Sequence, residues 1–313
     1  MALALRNSGV LAALGAAALF GAGTPIAKAF LDDTGPLMFA GLLYLGTGLG
    51  LFIWRLARRT PKAHLARKEL GWLVGAVVCG GVLAPGLLML GLTHMPATGA
   101  SLLLNAEAVF TALIAWVVFR ENIGRRVALG MLLIVGGAAV LSWPGTADFG
   151  DGWPILAVVT ACLLWAIDNN LTRNVISVDA TWIAMVKGCI AGTTNVVLAM
   201  FFGEEIPALR IIAGGMVLGL FAYGVSLVLF VIALRGVGTA RAGAYYSVAP
   251  FIGAIVAISF FGESLTIQIA LAGGLMAIGT WLHLTESHSH FHPHSLVEHE
   301  HEHFPDTEHR HGH

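Results

Sequence analysis

The sequence predicts an all-α integral membrane protein with ten transmembrane helices, and three observations lead there. Hydrophobic residues make up 57% of the 313 positions and charged residues only 11%, with a mean hydropathy of +0.81, whereas an average soluble domain is about 25% charged. The apolar residues fall in long runs, and about 20 of them span a hydrocarbon layer roughly 30 Å thick. The runs show no period-two alternation, so helices rather than strands of a closed barrel satisfy the backbone in lipid. A soluble monomer is excluded, because one globular core cannot hide so much apolar surface.

Charges, prolines and polar clusters delimit ten spans near 9–30, 35–56, 70–92, 97–119, 126–143, 153–173, 181–202, 211–234, 239–261 and 265–284. The first follows Arg6 and resembles a secretory signal, but no small-residue cleavage site leads into soluble sequence, so it reads as a span that stays. The connections are short and leave no room for a soluble catalytic domain. Cys79, Cys162 and Cys189 are isolated in apolar runs without CxxC spacing and read as core residues.

Positive charge sets the expected orientation. Arg55, Arg58, Arg59, Lys62, Arg67 and Lys68 lie between spans 2 and 3, and Arg120, Arg125 and Arg126 lie between spans 4 and 5; Arg6, Arg173 and Arg235 fall on the same side. The alternate connections carry Asp32, Asp33, Asp148, Asp151, Glu204 and Glu205 against Arg210. A multi-pass protein of the cell inner membrane with both termini cytoplasmic follows. The net charge of −1 is a sum of opposites: residues 286–313 hold one Arg and six acids (−5), leaving +4 on the rest.

An internal repeat is visible. Aligning 92–141 with 234–283 at an offset of 142 pairs ten identical residues, including Ala100/Ala242, Phe119/Phe261, Glu121/Glu263 and Gly137/Gly279. Phe-x-Glu falls at the junction of the fourth and fifth spans of each half. Leu19-Phe20 through Lys28 matches Leu164-Trp165 through Arg173 more loosely at an offset of 145. Five spans per half invert the second copy in the membrane, an arrangement that places a substrate site near the midplane. The expected units are 9–143 and 153–284, followed by a disordered His-rich cytoplasmic tail at 286–313.

Those residues carry a resemblance. The two five-helix halves, the Phe119-Arg-Glu121 and Phe261-Gly-Glu263 turns before Gly-rich helices, and the Phe20-Gly-Ala-Gly-Thr-Pro25 and Trp165-Ala segments resemble the EamA family of the drug/metabolite transporter superfamily over about residues 10–284. The resemblance implies ten helices in two inverted repeats and export or exchange of a small metabolite. Asp168-Asn169-Asn170 departs from the pattern, where a more apolar segment is expected.

Ionisable groups inside a bilayer are costly and mark function by default. Glu107 lies mid-span, two residues after Asn105, and its repeat partner is Ala249. It either lines a central cavity, binding a cationic group or exchanging a proton, or forms a structural pair with Lys187 or Arg241, or stays protonated; Asn105 and Lys187 are candidates beside it for binding or coupling. Asp168 and its two Asn neighbours either reach that cavity or mark the end of a helix. Tyr245 and Tyr246 fall where the repeat places Leu103 and Leu104, opposite the Glu107 region, as ligand contacts or core contacts. Asn195 is a further candidate, equally explained by an interhelical hydrogen bond. Glu121 and Glu263 precede helices and read as caps. Gly46/Gly50, Gly71/Gly75 and Gly215/Gly219 are close-approach pairs, and Pro25, Pro85 and Pro250 could kink their helices around a substrate path.

Ten of thirteen His lie in the tail: His288, His290, His292, His294, His299, His301, His303, His309, His311 and His313. Imidazoles interleaved with carboxylates suit Ni, Co, Zn or Cu. Three readings stay open: metal as cargo, metal binding in regulation or buffering, and an incidental polar tail. No further cofactor is required. No GxxxxGK[ST] loop, paired carboxylates, nucleophile elbow or HExxH is present, so neither direct ATP use nor an enzyme is expected. The function expected is alternating-access transport of a small metabolite, with a divalent-metal transporter and a membrane-anchored metal sensor as alternatives. The expected partners are a small solute, the lipid bilayer, a divalent metal at the tail and conceivably a second copy of the chain, with no nucleic acid.

Overall fold

The computed structural model describes residues 2–60, 63–119, 124–143, 152–175, 178–285, 288–294 and 297–303. Ten helices follow in order: α1 Ala2–Leu31, α2 Pro36–Ala57, α3 Arg67–Thr93, α4 Ala97–Val118, α5 Arg125–Ser142, α6 Trp153–Thr172, α7 Ala180–Phe201, α8 Leu209–Val237, α9 Arg241–Phe261 and α10 Ile267–Leu284. Among the described residues, nine helices are long and apolar enough to cross a membrane, and α10 contributes a shorter apolar run. Leu11, Ile53, Leu132, Phe260 and Trp281 are exposed on their surfaces. Such a belt would be a liability in water and is ordinary against acyl chains.

Beyond α10, the backbone of 288–294 pairs antiparallel with 297–303, His288 opposite His303, where a disordered tail was expected.

α2 lies along α7 and α5 along α10, while α1 packs on α8 and α9, and α6 on α3 and α4. Small residues set the distances. A Cβ on Gly48 would fall against the backbone of Gly188 and Cys189, and one on Gly192 against Leu45 and Gly41. The Gly46/Gly50 and Gly215/Gly219 pairs face each other across α2 and α8, Gly46 against Met216 and Gly219 against Leu43. Gly71 has open space around it, and Gly75 meets only Leu171.

Four helices are irregular at mid-depth. α3 passes through a π-helical segment at Val77–Leu83, and α8 through one at Leu220–Val225. α4 breaks between Leu103 and Ala106, and α9 between Tyr246 and Ala249. Adding the offset of 142 to 77–83 gives 219–225, so the repeat read from identities reappears in backbone irregularities. It reappears between α5 and α10 too. A Cβ on Gly137 would meet Ala272 and Met276, and one on Gly279 would meet Gly130 and Ile134, the residues 142 positions earlier.

Gly48→Val forces side-chain volume between two backbones, which costs about 1–3 kcal/mol. Its melting temperature in detergent is expected to fall, whereas Gly136→Ala, with nothing within 4 Å, should leave it unchanged or raise it.

Candidate functional site

The irregular stretch of α3 organises the interior. In the π segment the Ala84 N–H donates to Cys79 O, five residues back. In that register Gly80 O would accept from residue 85, and Pro85 has no N–H. The free carbonyl instead accepts from Tyr44 OH at 2.7 Å and Trp165 Nε1 at 3.0 Å, tying α2, α3 and α6 together. Gly81 O accepts from Asn195 Nδ2 at 3.4 Å, so Asn195 serves an interhelical hydrogen bond.

Gly80 also makes room: a Cβ there would collide with the Asp168 carboxylate. Asp168 is buried, accepts from Thr172 Oγ1 at 3.0 Å and pairs with Lys187 across α6 and α7. Lys187 therefore pairs with Asp168 and not with Glu107. Glu107 accepts from Asn169 Nδ2 at 2.8 Å and is half-buried, beside an Asn169 that is exposed. Asn105 points elsewhere, as residues two apart on a helix do. It sits in the break of α4, where Nδ2 donates to Leu102 O at 2.8 Å and Oδ1 accepts from Thr280 Oγ1 at 3.3 Å.

Aromatic rings complete the interior. Phe20 packs edge-on against Tyr223 (5.6 Å between centroids) and lies 5.7 Å from Tyr246; Tyr44 lies 5.7 Å from Tyr223. Tyr44, Tyr223 and Tyr246 are all within electrostatic reach of Glu107. Tyr245 packs instead on the alanine cluster of α1, α8 and α9. Sequence reasoning missed Tyr44 and Tyr223. Their signal was depth: membrane proteins concentrate Tyr at the interfaces, and these two sit mid-helix.

The two ends of the bundle differ. At the acidic-loop end, side chains from one helix satisfy the ends of another. Glu204 accepts from the Leu37 and Met38 amides at the start of α2 (3.2 and 2.7 Å). Glu263 accepts from the Ala97 and Thr98 amides (both 2.7 Å) and from Thr98 Oγ1 at the start of α4. Lys28 donates to Leu92 O and Thr93 O at the end of α3, and Gln268 to Val140 O and Trp143 O at the end of α5. Glu263 is thus a cap, but of α4 rather than of the helix it precedes, whose own N-cap is Thr266. Glu121 lies outside the described residues. Most of the largest fully buried side chains, Phe39, Leu88, Leu92, Met95, Leu141 and Val158 among them, pack towards this end.

At the basic-loop end Asp179 caps α7 through the Trp182 amide at 2.9 Å and accepts from Arg55 Nη1 at 2.8 and 2.9 Å. Burial opposes its ionisation, but hydrogen bonds from Thr181, Arg55 and Trp182 prevail and hold the carboxyl below the usual aspartate range.

Metal binding is not supported. Among the described residues no group of three or more His, Cys, Asp or Glu converges on a point, and a metal site needs several such donors. His94 packs edge-on against Trp153 instead. This overturns the tail as a Ni, Co, Zn or Cu site, and with it metal as cargo, regulator, sensed ligand or partner. The side chains of His288, His290, His292, His294, His299, His301 and His303, and all of His309, His311 and His313, lie outside the described residues. Of the three cysteines, all free, Cys162 is buried, while Cys79 and Cys189 are half-buried rather than core.

The EamA-like transporter family model matches residues 7–143 and again 152–285. The chain belongs to the EamA-like transporter family. An uncharacterized transporter of Methanothermobacter thermautotrophicus is 27% identical over 301 residues, 88% of this chain and 86% of that protein. The uncharacterized transporter YvbV of Bacillus subtilis is 26% identical over 282 residues, 87% and 89% of the two chains. A probable 4-amino-4-deoxy-L-arabinose-phosphoundecaprenol flippase subunit ArnE of Pseudomonas fluorescens is 37% identical over 108 residues, 34% of this chain and 92% of its own. A solved crystal structure shares the fold at a TM-score of 0.65 and 18% identity, covering 88% of this chain and 95% of the other. EamA membership places the chain with transporters rather than enzymes.

Glu263→Ala leaves two buried-end amides and a hydroxyl without their acceptor, at about 1–3 kcal/mol; a clear drop in melting temperature is expected. Asp179→Asn reads the charge alone. A carboxyl whose folded pKa is depressed adds stability at pH 7, and loses it as pH falls below the ordinary aspartate value of about 3.9. The gap in melting temperature between wild type and Asp179→Asn should therefore narrow as pH falls below about 4; a gap as large at pH 3 as at pH 7 would contradict the charge's role.

Proposed function

We propose that this EamA-family chain is a secondary transporter that moves a small organic solute by alternating access, with Glu107 as the group that binds it or exchanges a proton for it. One observation carries this reading: Lys187, within electrostatic reach of Glu107, gives its ion pair to Asp168, so the hydrogen-bonding partner of Glu107 among the described residues is an amide, Asn169. A carboxylate held in apolar surroundings without an ion pair of its own is expensive. It favours a ligand that brings positive charge, and Phe20, Tyr44, Tyr223 and Tyr246 offer ring faces to an amine or to the apolar part beside it. The solute class is a small amine-bearing metabolite, with a proton taking its place on the return step.

The two units are 9–143 and 153–284, the second inverted with respect to the first. The double family match, the π segments at one offset and the mutual contacts of Gly137 and Gly279 support that arrangement. Asn105 and Tyr246 border the site, Asp168 and Lys187 hold its wall, and Tyr245 and Asn195 support the helices around it. The dense packing and cross-helix caps at the acidic-loop end describe a form closed there, with Asn169 accessible from the basic-loop end. By the distribution of Lys and Arg, that end and both termini face the cytoplasm, in an inner membrane.

Glu107→Gln, nearly isosteric and still able to accept from Asn169, is expected to keep the wild-type melting temperature and lose at least tenfold of solute-driven proton movement in proteoliposomes, the consequence of removing an interaction of about 1.4 kcal/mol or more. Screening amines with a pH-sensitive dye inside the vesicles identifies the solute. Wild-type rates in the variant would remove Glu107 from the mechanism.

A further inference from the structure

We infer that the basic-loop face carries a binding site for the headgroup of an acidic phospholipid, in the groove between the end of α2 and the start of α7. The inference needs only that the chain spans a membrane. A cavity of about 510 Å³ lies there, its walls including Phe52, Arg55, Leu56, Arg59, Thr60 and Trp182. Phe52 and Leu56 are 52% and 68% exposed on the flank of α2, so the apolar wall runs on into the lipid-facing surface. The polar wall is cationic. Arg55 is engaged by Asp179 and Thr181. Arg59 is exposed, and among the described residues no carboxylate lies within ion-pair distance of it. Arg58, Arg67 and Lys68 lie near Arg59 in sequence, around the connection that leads from α2 into α3.

The backbone supplies an independent observation. Arg59 has φ 51°, the one left-handed non-glycine residue among those described. Its N–H donates to Leu56 O and the Thr60 N–H to Arg55 O, both at 3.2 Å. That pair of bonds closes α2 at the position where helices ordinarily place glycine, which has no Cβ to clash. An exposed arginine in a strained conformation gains nothing from packing, and such strain points to a side chain kept for what it binds. A guanidinium fork matches phosphate oxygens. Apolar walls continuous with the bilayer select a lipid phosphate over a dissolved one, and the uncompensated charge selects an acidic lipid over a zwitterionic one.

The test titrates the full-length protein in detergent with phosphatidylglycerol carrying brominated acyl chains, and reads tryptophan quenching. Phosphatidylcholine with the same chains and free glycerol 3-phosphate form the other arms. Quenching is expected at lower phosphatidylglycerol than phosphatidylcholine, to lose a component in Trp182→Phe, and to resist glycerol 3-phosphate. Arg59→Gly relieves the backbone and so keeps the fold. It should weaken the phosphatidylglycerol titration about fivefold, the worth of one cationic side chain at an anionic surface, and leave phosphatidylcholine unchanged. Identical titrations for Arg59→Gly and wild type overturn the proposal. So does competition by glycerol 3-phosphate, which would assign the groove to a soluble phosphate.

Discussion

The interior of this protein is arranged around a carbonyl that its own helix cannot satisfy. Inside a bilayer an unpaired backbone group costs several kcal/mol, and Pro85 removes the N–H that Gly80 O would use. Tyr44 and Trp165 replace it from two other helices, so α2, α3 and α6 are held at fixed depth. The missing side chain of Gly80 lets Asp168 approach, and Asp168 in turn engages Lys187. Glu107 is what remains: a carboxylate at the same level with an amide for company. One proline and one glycine thus lead, contact by contact, to the feature that carries the functional reading.

A second constraint acts at the ends of the helices. Each terminus leaves backbone groups without partners, and at the acidic-loop end Glu204, Glu263, Lys28 and Gln268 supply them across helices. These caps lock that end shut, since separating α9 from α4 or α7 from α2 strips an amide of its acceptor. The basic-loop end holds the Arg55–Asp179 pair, and fewer of the largest fully buried side chains lie towards it. Under the alternating-access reading proposed above the two ends exchange these roles, and the caps at the acidic-loop end are the contacts that the exchange breaks.

Much of the architecture was legible because bilayer thickness leaves a plain mark on sequence: a multi-spanning bundle of nine to ten apolar helices followed from the length of the apolar runs, and the rarity of charge within them drew attention to Glu107. The π segments were not legible. Val77–Leu83 and Leu220–Val225 are as apolar and continuous as their neighbours, and a shift of one hydrogen-bond register changes no residue type. Pairings between distant helices were equally hidden. Glu107 was matched with Lys187 or Arg241 because all are rare charges, whereas the room left by Gly80 lets Asp168 take Lys187. Glu263 was read as a cap of the nearest helix in sequence, whereas its carboxylate meets the Ala97 and Thr98 amides of α4, since composition does not tell which helix end stands opposite. The imidazole-rich tail invited a metal, and no described set of donors converges to hold one.

The polar site at Glu107 and Asn169 should be open to the basic-loop side and shut to the other in this conformation. The most direct measurement introduces Asn169→Cys after replacing Cys79, Cys162 and Cys189, and adds a membrane-impermeant maleimide to sealed vesicles of each orientation. Ala63→Cys, made in the same background, marks the basic-loop side. Modification of position 169 from the side that labels position 63 is the expected result. Modification from the opposite side alone, or from neither, would contradict a solute site reached through that end of the bundle.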